Sequence, residues 1–241
     1  MSTGTQSPAI KQHTGDNLYP ASLNLTFGEI DLALDVPTGV WNPTPHGMAL
    51  GHALAGLDFN GEHVLELGTG CGIHAALLAE RGAAQLTLTE IEGEILKNAS
   101  HNLKKHGVSC PTDWQVADWT HVDCEPCHTL VTNPPFTKSG KHFRRYFIDT
   151  LILDSHKLLK PGGRLIFIQS SMANIPRSIA LMEECGMTVE VLAESDGPFR
   201  PYYFEDARYM KEMAAIPGAY TMRDGVHYER LIVLQGRLPS R

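Results

Sequence analysis

The chain has 241 residues, with 20 basic and 27 acidic side chains and a formal net charge of −7. This length suits one α/β domain with its own core, and the acidic balance disfavours a nucleic-acid partner, which normally requires a basic stripe. A membrane-spanning helix needs about 18 consecutive apolar residues, and no apolar run approaches that length. The N-terminus lacks the apolar core of a signal peptide. The five cysteines form no regular framework, which favours the reducing cytoplasm.

The chain begins with a polar segment followed by a predicted hairpin. Residues 1–17 are rich in Ser, Thr, Gln and Gly, a composition that favours disorder in isolation. Within residues 25–36, the apolar side chains at positions 30, 32, 34 and 36 alternate with Asp31, Ala33 and Asp35, so we expect a hairpin with its turn near Gly28. We assign residues 1–45 to this N-terminal segment and hairpin, as a candidate lid, and residues 46–241 to the main domain.

A strand, a glycine turn and a helix form the stretch around which the chain is organised. Residues 64–67 make an apolar strand, and Gly68, Gly70 and Gly72 let the backbone turn tightly and approach a ligand closely. Residues 73–79 contain strong helix formers. Such a unit presents free N–H groups and the positive end of a helix to a nucleotide-like ligand. The alternative is a plain strand–helix connection.

An acidic residue in the next strand favours the nucleotide interpretation. Residues 85–89 predict a second strand, and Glu90 stands at its end. A carboxylate about 20 residues after the glycines is where nucleotide-binding folds hold a ribose diol. Beyond it we expect helices at 91–106, 143–159 and 175–185, and strands at 114–117, 129–132, 164–169, 187–193 and 227–234.

This alternation predicts an α/β, Rossmann-like, doubly wound, seven-stranded and mostly parallel sheet, with an antiparallel final strand. The segment 194–226, between the last two strands, is too long for a hairpin loop and is rich in aromatic residues. We interpret this aromatic insertion as a cap over the pocket, since long loops over such sheets are usually functional. The alternative is a small satellite core.

The residues Asn133-Pro134-Pro135-Phe136 directly follow the fourth strand and carry the chemistry. Ligands of open α/β sheets bind beyond the carboxyl ends of the strands, where the glycine loop, Glu90 and Asn133 converge. Consecutive prolines fix φ and remove N–H donors. Two neighbouring oxygen acceptors beside the Phe136 ring suit a planar amino or amide group whose lone pair is aimed at an electrophile. The alternative is an ordinary Asn-Pro turn.

With these motifs the sequence resembles the class I S-adenosylmethionine-dependent methyltransferases, in the methyltransferase small branch with an (Asn/Asp)-Pro-Pro-(Tyr/Phe) motif that acts on amino or amide nitrogens. The resemblance covers residues 20–237 and implies S-adenosylmethionine as the cofactor. It implies that Glu66 to Gly72 hold the methionine part, Glu90 the ribose and Asp118 the adenine amino group. The full implied cofactor site is Glu66, Gly68, Thr69, Gly70, Gly72, Glu90, Ile91, Asp118, Trp119 and Asn133.

The catalytic residues implied are Asn133, Pro134 and Phe136, and the candidate substrate-binding aromatics are Trp41, Tyr19, Tyr202 and Tyr203. Two positions depart from the related protein-glutamine methyltransferases: Gly47 replaces a loop threonine, and His128 replaces the aspartate at the start of the fourth strand. We therefore expect a small-molecule or peptide nitrogen as acceptor, without nucleic acid or membrane as partner.

Three other functions remain open. One is an intramolecular cyclase that consumes S-adenosylmethionine and releases methylthioadenosine, like an azetidine-2-carboxylate synthase. The second is methylation of RNA adenine N6 or of protein glutamine, and the third is a non-catalytic S-adenosylmethionine-binding protein. We expect no metal, although Cys124, Cys127 and His128 match a C-x-x-C-H haem motif and, with His121, a conceivable zinc site.

Overall fold

The computed structural model describes residues 21–118, 121–134, 143–205 and 207–240. Within them the strands are β1 Ala21–Phe27, β2 Ile30–Val36, β3 His63–Leu67, β4 Gln85–Glu90, β5 Thr112–Val116, β6 Cys127–Thr132, β7 Leu159–Ser170, β8 Thr188–Pro198, β9 Thr221–Arg223 and β10 Val226–Arg237. The helices are α1 Pro45–Ala55, α2 Ile73–Glu80, α3 Gly93–Lys105, α4 Phe143–Leu158, α5 Ile175–Glu184 and α6 Ala207–Ala214. None of these helices is both long enough and apolar enough to cross a membrane.

One large sheet forms the centre of the molecule. Among the described residues its strands follow the order β5-β4-β3-β6-β7-β10-β8, and the short β9 pairs with β10. Strand β3 pairs in parallel with β4 on one side and β6 on the other, whereas β10 is antiparallel to β7 and β8. The predicted doubly wound sheet with an antiparallel final strand is therefore confirmed, with β9 as an addition.

Helices cover both faces of this sheet because the side chains of each central strand alternate between two cores. Val64 of β3 packs into a core shared with residues of α1, α2 and α3. Leu65 and Leu67 pack into the opposite core, which contains residues of α4 and α5. The same alternation turns the side chain of Glu66 towards the α1–α2 face.

The predicted hairpin is β1–β2, paired from Ala21 with Val36 to Phe27 with Ile30. It is integrated with the first core, where Phe27, Leu32 and Leu34 are fully or almost fully buried. A lid movement of the whole hairpin would expose these side chains. Residues 1–20, the other part of the candidate lid, lie outside the described residues.

A polar clamp around Asp35 fixes the hairpin to α3. The Asp35 backbone N–H donates to Asn102 Oδ1 at 2.9 Å, and its carbonyl accepts from Asn98 and Asn102 at 2.9 and 3.0 Å. The Asp35 carboxylate lies 3.0 Å from Lys105 Nζ and 3.1 Å from His101 Nε2. Bonds from Lys105, His101 and Ser22 hold the pKa of Asp35 down to about 2.

The predicted aromatic insertion is shorter than 194–226, because β8 continues to Pro198 and β10 begins at Val226. The chain between them contains a 3₁₀ helix at Pro201–Glu205, then α6 and β9. Its buried side chains form a small third core with Met172: Phe199, Tyr203, Tyr209, Met213 and Ala219. The packing therefore corresponds to the satellite core; the role of this segment as a cap stays a prediction.

The Asp35 clamp makes stability dependent on pH. A carboxylate whose folded-state pKa is depressed stabilises the fold above its unfolded pKa, and that contribution is lost as pH falls through the folded value. We expect Asp35→Asn to lower the melting temperature at pH 7. The difference from the wild type should shrink between the ordinary pKa of 3.8 and the folded value of about 2. Thermal melts of both proteins across this range measure it, and a difference independent of pH would contradict the clamp.

Candidate functional site

Three strand ends meet at one edge of the sheet and define the candidate site. Leu67 of β3 pairs with Thr89 of β4 and with Thr132 of β6. The residues that directly follow these three paired positions are Gly68, Glu90 and Asn133. The parallel register therefore places the glycine loop between a carboxylate and an amide, in the position where open α/β sheets bind ligands.

The glycine loop leaves room for a ligand at two of its three glycines. Gly68 and Gly70 have φ values of +73° and +54°, and a Cβ added at either would meet no atom within 4 Å. At Gly72, φ is +83°, and an added Cβ would lie 2.8 Å from Leu103 Cδ1 and 3.3 Å from the Cα of Ala99. Gly72 is thus required for α2–α3 packing, whereas Gly68 and Gly70 border open space.

Glu90 closes the loop from the neighbouring strand. Its Oε2 accepts from the Gly70 N–H at 3.1 Å and its Oε1 from the Ile91 N–H at 2.9 Å. Burial raises the pKa of Glu90, against these two backbone donors, which lower it. Ile91 and Val116 are 60% and 63% exposed next to this carboxylate. Exposed branched apolar side chains at a sheet edge can contact the flat faces of a nucleobase. We therefore include Val116 in the candidate site.

The sequence did not indicate Val116, although its place as the last residue of β5 is a usable signal. Asp118 lies two residues further on and is exposed. Trp119, the next predicted cofactor residue, lies outside the described residues.

Glu66 lies inside the protein. Its carboxylate is 1% exposed; Oε2 accepts from Thr69 Oγ1 at 2.7 Å, and Oε1 lies 3.1 Å from His74 Nδ1. The other ring nitrogen of His74, Nε2, lies 3.0 Å from the carbonyl oxygen of Gly47 in α1. The side chains of Glu66 and Thr69 therefore shape the loop from behind, and the part of the loop that borders open space is its backbone at Gly68 and Gly70.

Asn133 is half-buried at the end of β6, followed by the half-buried Pro134. Phe136, the third predicted catalytic residue, lies outside the described residues. The first turn of α1 faces Asn133: a Cβ added at Gly47 would lie 3.8 Å from Asn133 Nδ2 and 4.0 Å from His74 Nε2. The glycine that replaces the loop threonine therefore leaves space for about one methyl group beside the amide.

The predicted substrate aromatics are in different surroundings. Trp41 is 42% exposed in the loop before α1, consistent with an entrance position. Tyr203 is 2% exposed in the third core, and its hydroxyl donates to Glu229 Oε1 at 3.3 Å. In this structure Tyr203 is thus a buried support residue. Tyr19 and the side chain of Tyr202 lie outside the described part of the chain.

A second buried histidine–glutamate pair includes His46, which precedes Gly47 in the same turn of α1. His46 Nε2 is 3.5 Å from Glu229 Oε2, and neither atom has a hydrogen-bond partner in the described part of the protein. Burial lowers the pKa of His46 to about 3 and raises that of Glu229 to about 7, while hydrogen bonds from Ser170 and Tyr203 oppose the shift of Glu229. No local sequence pattern indicates Glu229, because its contact with His46 joins β10 to α1.

The cysteine–histidine cluster lies at the opposite edge, where β3 and β6 begin. Cys124 Sγ is 3.9 Å from His63 Nε2, and the Cys127 thiol donates to the Leu158 carbonyl oxygen at 3.2 Å. The His128 ring accepts from the backbone N–H of His63 at 2.9 Å. No group of three potential metal ligands occurs among the residues described.

The residues at the carboxyl edge fit S-adenosylmethionine: open glycines, a carboxylate at the end of β4 and exposed apolar side chains beside it. Fold and site together define the class I S-adenosylmethionine-dependent methyltransferases. Residues 51–199 match the model of the methyltransferase small domain. The chain belongs to this family, which confirms the predicted class and cofactor.

Two relatives are similar to parts of this chain. The tRNA1(Val) (adenine(37)-N6)-methyltransferase of Glaesserella parasuis is 31% identical over 125 residues, which cover 45% of this chain and 52% of the relative. The release factor glutamine methyltransferase of Cereibacter sphaeroides is 32% identical over 101 residues, covering 42% of this chain and 36% of that protein. The chain thus spans about half the length of the first relative and about a third of the second.

Among solved structures, the T. thermophilus 16S rRNA N2 G1207 methyltransferase, in complex with AdoMet and guanosine, superposes with a TM-score of 0.61 at 16% identity. The match covers 91% of this chain and 51% of that one. At this identity the likeness shows the fold.

The two kinds of glycine in the loop lead to a prediction. An alanine in the left-handed region costs about 1–2 kcal/mol of stability at either Gly70 or Gly72. Gly72→Ala should cost about 1–3 kcal/mol more because its methyl group overlaps Leu103 and Ala99. Urea denaturation of the two variants measures this difference. Equal losses of stability would contradict the assignment of Gly72 to packing and of Gly70 to the open site.

Proposed function

We propose that this protein transfers the methyl group of S-adenosylmethionine to an amino or amide nitrogen of a small molecule or peptide. The observation that carries the proposal is the placement of Asn133 beside the open glycine loop, with Gly47 opposite it. When bound, S-adenosylmethionine supplies a methyl group on a positively charged sulfur. The protein then has only to hold a nitrogen in line with that methyl group.

Asn133 and Pro134 perform this positioning in the proposal. The side-chain oxygen of Asn133 and the carbonyl oxygen of Pro134 accept hydrogen bonds from the two N–H groups of the acceptor, which leaves its lone pair directed at the methyl group. The methylated nitrogen then releases one proton to solvent. Positioning of this kind lowers the barrier without a strong acid or base. Glu90 would hold the ribose hydroxyls, and Ile91 and Val116 would contact the adenine.

The acceptor chemistry is supported by the names of the two relatives, an adenine-N6 and a glutamine methyltransferase. The first name specifies an exocyclic nitrogen, and the second a glutamine, whose side chain ends in an amide. The net charge of −7 favours a small molecule or peptide over RNA, because phosphate contacts dominate RNA affinity. RNA adenine remains the second candidate, since the adenine-N6 enzyme matches residues of this chain at 31% identity.

Product analysis separates these reactions. The protein is incubated with S-adenosylmethionine alone and with panels of amines, glutamine peptides and transfer RNA, and the nucleoside product is identified by mass spectrometry. The proposal requires S-adenosylhomocysteine together with a methylated amine or peptide. Methylated RNA would select the second candidate, and methylthioadenosine formed without an acceptor would identify a cyclase.

Removal of the Asn133 side chain should separate transfer from cofactor binding. We expect Asn133→Ala to abolish turnover while the affinity for S-adenosylmethionine stays within about fivefold, less than the loss of one hydrogen bond to a charged group. Asn133→Asp is the matched control, because it retains an oxygen acceptor and should keep part of the activity. Calorimetry that shows lost cofactor binding in Asn133→Ala would place this residue in the cofactor site instead.

Glu90 should control cofactor affinity and its dependence on pH. We expect Glu90→Ala to weaken binding of S-adenosylmethionine by about 1.5–3 kcal/mol, the scale of a hydrogen bond to a charged group. Because burial raises the pKa of Glu90 and a diol requires the carboxylate form, wild-type affinity should fall as pH decreases through that pKa. Glu90→Gln should bind weakly without this slope. An unchanged affinity in Glu90→Ala would show that the ribose binds elsewhere.

A further inference from the structure

The buried chain Thr69–Glu66–His74–Gly47 links the cofactor loop to the first turn of α1. Its two ionisable side chains are almost inaccessible to solvent, with exposures of 6% for His74 and 1% for Glu66. His74 is the member that reaches α1, with Nδ1 3.1 Å from Glu66 Oε1 and Nε2 3.0 Å from the Gly47 carbonyl oxygen. Neither contact is used by the proposed chemistry.

The number of protons shared by His74 and Glu66 follows from the groups that their side chains contact. A carbonyl oxygen can only accept, so Nε2 of His74 must carry a proton to bond Gly47. The bond between Nδ1 and Glu66 then contains one further proton, on the ring or on the carboxyl group. The pair is therefore neutral as a unit, and each partner compensates the burial of the other.

The Gly47 end of the link stands against the proposed acceptor site. Thr44 caps α1 there: its Oγ1 accepts from the Gly47 N–H at 3.2 Å, and its carbonyl accepts from the Met48 N–H at 2.8 Å. The Cβ position of Gly47 is 3.8 Å from Asn133 Nδ2. A displacement of this turn would change the space beside Asn133 directly.

We propose that His74 is a positioning residue, which fixes the α1 wall of the acceptor site relative to the cofactor loop. The residue touches neither reacting group, and its effect passes through the Gly47 carbonyl to Asn133. This role rests on the proposed function, because the wall matters only if Asn133 receives the acceptor. The physical link itself can be tested without an acceptor.

Two substitutions distinguish the two ends of the link. His74→Asn keeps an amide near the position of Nδ1, so Glu66 retains a partner, but the shorter side chain does not reach Gly47. Glu66→Gln is the matched control: its amide can donate to a neutral His74 ring while its oxygen accepts from Thr69. All three hydrogen bonds then persist without the charge.

Nuclear magnetic resonance of the full chain with S-adenosylhomocysteine measures the effect. In His74→Asn we expect the Gly47 and Met48 amides to exchange about tenfold faster, the equivalent of one lost hydrogen bond. The Asn133 side-chain amide resonances should shift. Glu66→Gln should change neither the exchange of these backbone amides nor the Asn133 resonances. Calorimetric affinity for S-adenosylhomocysteine should stay within about twofold in His74→Asn, because the His74 ring bonds to Glu66 and Gly47 and the open loop backbone keeps its place.

Unchanged exchange and unchanged Asn133 resonances in a folded His74→Asn would overturn the proposal, as would a more than tenfold loss of S-adenosylhomocysteine affinity. If His74→Asn does not fold, the link is tested in the wild-type protein by a long-range ¹H–¹⁵N spectrum. The proposal requires a proton on His74 Nε2, and an unprotonated Nε2 would refute the link. Failure of the proposed function appears separately, as absent methyl transfer to any nitrogen by the wild type.

Discussion

The site depends on the parallel pairing of β3 between β4 and β6. This single register brings the ends of three strands, which are far apart in the sequence, to one edge. Gly68, Glu90 and Asn133 follow paired residues directly, so their relative positions are set by backbone hydrogen bonds. Side-chain flexibility therefore contributes little to the geometry of the loop and its two flanking polar groups, as suits catalysis by positioning.

The other face of the site is built from a helix, and the buried His74–Glu66 pair ties that helix to the glycine loop. His74 contacts the carbonyl oxygen of Gly47 in the first turn of α1, with both members of its pair almost fully buried. Removing one partner of such a pair leaves a buried group without compensation, which typically costs about 3–5 kcal/mol when the remaining group is charged. The α1 turn is thus fixed by interactions that tolerate little change, in contrast to the exposed loop around Trp41.

The sequence predicted the parts of the protein that local periodicity and turn chemistry determine. These include the hairpin at Gly28, the strand–loop–helix unit after Val64 and the strand end at Glu90. The polar strand end of β8 was missed because Glu194 to Pro198 lies in an edge strand, where exposed polar side chains replace the usual alternation. Its pairing with β10, a tertiary contact, decides the structure there.

Long-range contacts also explain what the sequence could not show about the site. The family resemblance implies that Glu66 helps to hold the methionine part, and the structure adds that its carboxylate contacts Thr69 and His74. The Glu229 contact requires β10 to lie beside α1, which no local pattern indicates. Only the order of strands in the folded sheet places these side chains together.

A crystal structure of the complex with S-adenosylhomocysteine tests the central claim most directly. The ribose hydroxyls should contact Glu90, and the sulfur should face Asn133. The space between them should admit a methyl group about 3–3.5 Å from an acceptor nitrogen, the separation of a near-attack geometry. A nucleoside bound away from the glycine loop, or a sulfur directed away from Asn133, would contradict it.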